Sequence, residues 1–297
     1  MKKIIKIILW AAAAIVAVIV ALQIISSRPV QPKNCNALTN VVYKTVGNDT
    51  LKLAVYTPKD SLKKHPAVIY FHGGSWISGN SSKVFLRYRS YTSQMLFDNH
   101  IAIVSVDYRL INMKGNHLED CLEDCQDAIR FCIENGDSLG IDSARIGLWG
   151  SSAGSHLAML CYGKRDSDPD SNYRHIKYLI NDFGPVDILE MWHSAPEWIR
   201  QMASTYFYNM DWPDMEIFDS LSIAYSPIQY TKKLSEIPML IHHGTDDRIV
   251  DFRQSVMLHD SLPKSELILL KGAGHGFKGI ADERVTDYVS KILQIIE

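Results

Sequence analysis

The chain has 297 residues, 46% of them hydrophobic and 22% charged, which suits one sizeable globular domain or at most two small ones. Its 31 basic and 33 acidic side chains leave a formal net charge of -2. That balance gives no electrostatic reason to expect nucleic acid as a partner, and the class is set aside.

Lys2, Lys3 and Lys6 precede an uncharged apolar run from Ile7 to Ile25, broken only by Gln23, and then Ser26-Ser27-Arg28-Pro29. At about 1.5 Å per residue the run matches a hydrocarbon core of roughly 30 Å. No clear small-x-small cleavage site follows, so residues 1–28 are read as an uncleaved signal-anchor in preference to a cleaved signal. The lysines favour a cytoplasmic N-terminus, which puts the rest of the chain outside the cytoplasm, periplasmic or extracellular; a cleaved signal would make it secreted. Residues 29–39, with two prolines, Asn34 and Asn36, read as a linker. Cys35 in that linker either pairs between chains or has no role.

From Asn40 onward the pattern alternates between strands and helices. Val41-Val42-Tyr43 and Leu51 to Tyr56, separated by Gly47-Asn48-Asp49, read as a hairpin. Ala67 to Phe71 is a continuous apolar run, as expected of a strand buried on both faces, and Ile101 to Val106 repeats it. Ile146 to Trp149, Tyr178 to Ile180, Met239 to Ile241 and Leu267 to Leu270 follow. Helices fit at about Lys83–Phe97, His117–Glu134, Ser152–Tyr162, Phe252–Ser261 and Val285–Ile296. Cys121, Cys125 and Cys132 share a helical face with Leu118, Leu122, Ile129 and Ile133, so they and Cys161 are read as core residues rather than metal ligands. The expected architecture is α/β, a mainly parallel eight-stranded sheet with helices on both faces, binding ligands at the carboxyl ends of the strands.

The polar motifs cluster at those ends. Arg145 to Trp149 is a strand, Gly150-Ser151-Ser152-Ala153-Gly154 a Gly-x-Ser-x-Gly turn, and the following residues an apolar helix. In such a turn the central serine is held in a strained backbone with its hydroxyl exposed, and the small residues on either side let strand and helix pack closely. Ser152 is the candidate nucleophile. After the Ala67 strand, His72-Gly73-Gly74-Ser75-Trp76 offers backbone N–H groups; Gly73, Gly74 and Ala153 are the candidate oxyanion hole. His72 is read as structural.

A serine hydroxyl needs a base near pKa 7, and that base needs a carboxylate to fix its tautomer. His242-His243-Gly244-Thr245-Asp246-Asp247 follows the Met239 strand, and Gly272-Ala273-Gly274-His275-Gly276-Phe277 the last one. His275 is the candidate base and Asp247 the acid, in the chain order Ser, Asp, His expected of an α/β-hydrolase.

With those residues in view, the sequence resembles the hormone-sensitive-lipase-like carboxylesterases, and within them the feruloyl- and acetyl-xylan-esterase-like branch. Tyr70-Phe71-His72-Gly73-Gly74, Val106-Asp107-Tyr108-Arg109-Leu110, Leu122-Glu123-Asp124, Gly140-Ile141-Asp142, Trp149 to Gly154, Ser226-Pro227, His243 to Asp247 and Gly274 to Phe277 carry the likeness. Matching by position implies Asp247 as the acid, with Asp246 a minority candidate. Ser75 stands where many relatives have a third glycine. Ser151 before the nucleophile, in place of an aspartate, points to the xylan-esterase-like branch.

The stretch from Val186 to Tyr225 is too long for a simple crossover and reads as a cap inserted in the catalytic domain 40–297. It carries Trp192, Trp198, Tyr206, Phe207, Tyr208, Trp212 and Phe218. Trp76, Trp192 and Trp198 are the candidate substrate-binding residues, with the cap's own small core as the plainer reading of any one of them. The expectation is a serine carboxylesterase working through an acyl-enzyme on small acyl or aryl esters, acetylated or feruloylated carbohydrate included. It needs no metal or organic cofactor. Two alternatives remain: a serine peptidase of the prolyl-oligopeptidase type, whose usual long N-terminal propeller is not seen in the sequence, and a catalytically silent hydrolase fold used for binding.

Overall fold

The computed structural model describes residues 33–112, 115–165, 172–210, 214–277, 290, 293 and 294. The expected anchor 1–28, and most of the closing helix expected at Val285–Ile296, lie outside them. Among the described residues no helix is long and apolar enough to cross a membrane.

Eight strands form one sheet: β1 (Cys35–Val46), β2 (Asp49–Pro58), β3 (His65–Phe71), β4 (Ala102–Val106), β5 (Ile141–Ser151), β6 (Ile176–Asp182), β7 (Met239–Gly244) and β8 (Ser265–Leu270). Their spatial order is β1-β2-β4-β3-β5-β6-β7-β8, and β3 to β8 are parallel. The β1–β2 hairpin joins the edge antiparallel to β4, with Leu53 opposite Val106 and Cys35 opposite Pro58. This register brings the chain in at the amino end of the parallel strands. β1 begins inside the expected linker, because Cys35 to Leu38 already pair with β2 and Lys59 N–H donates to Asn34 O at 2.9 Å. A register irregularity between Leu38 and Val41, with Asn40 at φ 59°, breaks the apolar alternation and hides this part of the strand.

Side chains on a strand alternate between faces, and the central strands are buried on both. Ala67, Ile69 and Phe71 of β3 join one core, whereas Val68 and Tyr70 join the other with Trp149, Tyr178 and Leu240. Helices cover both faces: α1 (Arg87–Asp98), α2 (Leu118–Glu134), α3 (Ala153–Gly163) and α7 (Arg253–Asp260) lie between strands. Between β6 and β7 the chain forms α4 (Ile188–His193), α5 (Glu197–Tyr208) and α6 (Met215–Ala224), in the stretch read as a cap. Cys121, Cys125 and Cys132 on α2, and Cys161 on α3, are buried in the first core. The helix expected from Lys83 is instead a 3-10 turn, Ser81–Phe85, and then α1, because Leu86 is extended between them (φ -59°, ψ 146°).

Candidate active site

The registers Phe71 with Gly150, Ser151 with Asp182, and Asp182 with His242 align the carboxyl ends of β3, β5, β6 and β7 in one row. The strand-ending motifs therefore meet at one edge. Ser152 caps α3 with φ 54° and ψ -121°, a backbone that L-residues avoid at a cost of about 1–3 kcal/mol. Two features hold it there. Its N–H donates to Asp182 O at 2.8 Å, and Gly154 lets the helix come so close that a Cβ would stand 2.0 Å from Phe71 O.

Ser152 Oγ lies 3.1 Å from His275 Nε2, and His275 Nδ1 lies 2.7 Å from Asp247 Oδ2. Asp247 Oδ1 accepts the N–H groups of Ile249 (2.8 Å) and Val250 (3.1 Å), which fix the carboxylate plane. Burial acts to raise the Asp247 pKa, but hydrogen bonds from His243, His275 and the Ile249 N–H outweigh it and hold the carboxyl well below the usual carboxylate range. Asp246 is exposed, with its carboxylate 3.3 Å from the hydroxyl of Thr245, and makes no contact with His275.

Opposite the serine, the turn after β3 approaches so closely that a Cβ on Gly73 would lie 2.6 Å from Ser151 O and 3.2 Å from Ser152 Cβ. Ser75 and Trp76 continue it with φ of 55° and 62°; Ser75 thus occupies a left-handed position that a glycine fills without strain. Tyr108 Oη donates to His72 O at 2.6 Å, and the His72 ring is buried, stacked on Tyr108 at 4.3 Å, consistent with a structural role. Ala153 opens α3, so its N–H has no acceptor within the helix. A cavity of about 200 Å³ lies between these parts, lined by Gly73, Gly74, Lys83, Leu86, Ser152, Phe183, Ile249 and His275 among others.

None of the three tryptophans is among the described residues lining that cavity. Trp76 is 5% exposed; its Nε1–H donates to His156 Nδ1 at 3.2 Å and its ring meets Phe207 edge-on. Trp192, 9% exposed, packs against Phe207 of α5 and Phe218 of α6, whereas Trp198 is 62% exposed.

Other residues near the site were not singled out from the sequence. Phe183 follows β6, lines the cavity and meets His275 edge-on at 4.8 Å. Behind the serine turn, Asp182 Oδ2 accepts Trp149 Nε1–H at 2.8 Å and Oδ1 lies 3.1 Å from His242 Nδ1. Their sequence signal was position alone: each ends, or directly follows, a strand of the catalytic row.

Comparison with known proteins follows this geometry. Residues 53–262 match the BD-FAE family. A probable isoprenylcysteine alpha-carbonyl methylesterase of Arabidopsis thaliana is 27% identical over 270 residues, covering 82% of this chain and 53% of the relative. The chain thus spans about half the length of that relative. A thermophilic esterase of Thermogutta terrifontis with propionate bound superposes with a TM-score of 0.65 at 24% identity, covering 88% of this chain and 93% of the other. A truncated carbohydrate esterase from gut microbiota gives 0.68 at 24% identity, covering 89% and 98%. These likenesses establish the α/β-hydrolase fold.

Proposed function

Since this chain belongs to the BD-FAE family of α/β-hydrolases, we propose that it is a serine carboxylesterase acting on small acyl esters. The observation that carries the reading is the continuous path from Ser152 Oγ through His275 to Asp247, at 3.1 and 2.7 Å, with the serine on a strained turn facing the cavity. Ser152 attacks the ester carbonyl while His275 Nε2 takes its proton. Asp247 keeps the Nδ1–H tautomer and stabilises the imidazolium. N–H groups of Gly73, Gly74 and Ala153 receive the oxyanion, His275 protonates the departing alcohol, and water releases the acid by the same steps in reverse. The residues of this cycle supply the base, the acid and the oxyanion donors by themselves.

The cavity of about 200 Å³ favours a short acyl group over a long chain. The relative named a methylesterase supports an ester small on one side of the carbonyl, the neighbour named a carbohydrate esterase supports a carbohydrate ester, and acetylated carbohydrate is the natural-substrate class we favour. With residues 1–28 as a membrane anchor, the domain lies outside the cytoplasm.

The test is hydrolysis of p-nitrophenyl esters from acetate to decanoate, and of acetylated xylo-oligosaccharide, by the chain and its Ser152→Ala variant. Turnover highest on short acyl groups and abolished in Ser152→Ala supports the reading. A folded chain without turnover on any of these esters contradicts it.

A further inference from the structure

The site contains one cation that the reaction as described does not use. Lys83 is half-buried, lines the catalytic cavity, and its Nζ donates to the carbonyl oxygen of Gly73 at 3.2 Å. That carbonyl belongs to the peptide whose other end is the Gly74 N–H, one of the oxyanion donors proposed above. A peptide is planar, with C=O and N–H antiparallel, so whatever fixes the direction of the Gly73 carbonyl also fixes that of the Gly74 N–H. A charged donor on the oxygen withdraws electron density across the amide and makes the N–H a stronger donor.

Lys83 is delivered to this point by a rigid platform. The turn Ser81–Phe85 is pinned to the end of β4: the Ser81 N–H donates to Asp107 Oδ1 at 2.5 Å, and Ser105 Oγ–H donates to Ser81 O at 2.6 Å. Asn80 Oδ1 accepts the Ser82 N–H at 3.0 Å, and Val84 and Phe85 are buried beneath the turn. The Gly73 carbonyl is also 3.0 Å from His72 Nδ1, so it keeps a hydrogen-bonding partner when Lys83 is replaced. Its neighbouring peptide, between His72 and Gly73, is held in the same way by the Tyr108 hydroxyl on His72 O. The two peptides of this turn that present N–H groups to the oxyanion are thus gripped from behind, one of them by a cation.

We propose that Lys83 is a positioning residue of the oxyanion hole, aligning and polarising the Gly73–Gly74 peptide so that the Gly74 N–H meets the charge that develops on the carbonyl oxygen. The inference rests on the esterase reading above. Because the oxyanion exists only after attack, the effect of Lys83 belongs to kcat and to transition-state analogues, not to binding of the ester.

The experiment compares the full chain with Lys83→Met, Lys83→Arg and Ser152→Ala on p-nitrophenyl acetate, and measures inhibition by an alkyl trifluoromethyl ketone, which becomes an oxyanion only on attack by the serine. Lys83→Met is expected to lower kcat by about tenfold to a hundredfold with KM within about threefold, less than the loss of a direct oxyanion donor. Ketone affinity falls by the same factor, Lys83→Arg recovers most of both, and the thermal midpoint does not move. Should Lys83→Met fold poorly, Lys83→Gln, which keeps a neutral donor, is expected to fall between Met and Arg. Ketone inhibition and kcat within about twofold of the parent in the Met or Gln variant would overturn the proposal, as would a loss of kcat that leaves ketone affinity unchanged. Turnover that survives Ser152→Ala, or a parent chain without turnover, would instead remove the esterase reading on which the proposal stands.

Discussion

His275 Nε2 stands 3.1 Å from Ser152 Oγ although 123 residues separate the two in the chain. Neither residue reaches the other by local structure. The serine is placed by a strained turn after β5, and the histidine by a loop after β8, three strands away in the sheet. Only the parallel register of the intervening strands brings them together, so the contact is a property of the whole sheet.

Removing members of this path should give unequal losses. Ser152→Ala and His275→Ala are expected to lower kcat by roughly a millionfold, and Asp247→Ala by roughly ten-thousandfold, as in other serine hydrolases where base and nucleophile act as a unit. Asp246→Ala should stay within about twofold of the parent. Steady-state kinetics on p-nitrophenyl acetate reads all four, and a large loss in Asp246→Ala would reassign the acid.

The Asp247 pKa is depressed in the folded chain, so the stability it contributes is fully present above the unfolded value of about 4 and is lost only as pH falls below that. Between pH 5 and 8 it stays ionised. Asp247→Asn should lower kcat/KM across that whole window, as read from a plot of log kcat/KM against pH.

His156 gives a separate pH effect, on stability. Burial, with a smaller contribution from Lys164, pushes its pKa down to about 3, while its Nε2–H donates to Tyr225 O at 2.7 Å and its Nδ1 accepts from Trp76. Protons bind the unfolded chain near pH 6.5 but not the folded one, so stability declines as pH falls from about 6.5 towards 3, at up to about 1.4 kcal/mol per pH unit from this group. Denaturant midpoints measured from pH 8 to pH 5 should decline, and the decline should be shallower in His156→Gln.

On the proposed reading, the cavity wall sets acyl length. Leu86 lines the catalytic cavity, and trimming it to alanine opens space for about three more carbon atoms. The ratio of kcat/KM for p-nitrophenyl hexanoate to that for acetate is expected to rise about tenfold in Leu86→Ala. An unchanged ratio would place the acyl group elsewhere.

Two cap tryptophans should behave oppositely. Trp192→Ala empties a packed aromatic cluster and is expected to cost about 3–5 kcal/mol of stability, whereas Trp198→Ala, at an exposed site, should stay within about 0.5 kcal/mol. Chemical denaturation of the two variants separates them.

These contrasts follow what local sequence can carry. Continuous apolar runs such as Ala67–Phe71 report strands buried on both faces, and a Ser, Asp and His placed just after such runs come to one edge when the runs are parallel strands of one sheet; that much was legible. The extent of β1 was not, because a register irregularity near Asn40 breaks the alternation. Nor was the burial of Trp76 and Trp192, since an aromatic side chain has the same sequence signature whether it lines a cavity or packs in an interior. Lys83 and Phe183 escaped notice because only tertiary packing turns a residue in a short turn, or just past a strand end, towards Ser152.

The most direct measurement of the central claim is to trap the acyl-enzyme. The chain is mixed with a slowly deacylating p-nitrophenyl ester, quenched in acid and digested, and the peptides are read by mass spectrometry. The account predicts one acyl group per chain on the peptide carrying Ser152, formed at the rate of the p-nitrophenol burst and absent in Ser152→Ala. Turnover with no adduct on Ser152, or an adduct that forms equally in Ser152→Ala, would contradict it.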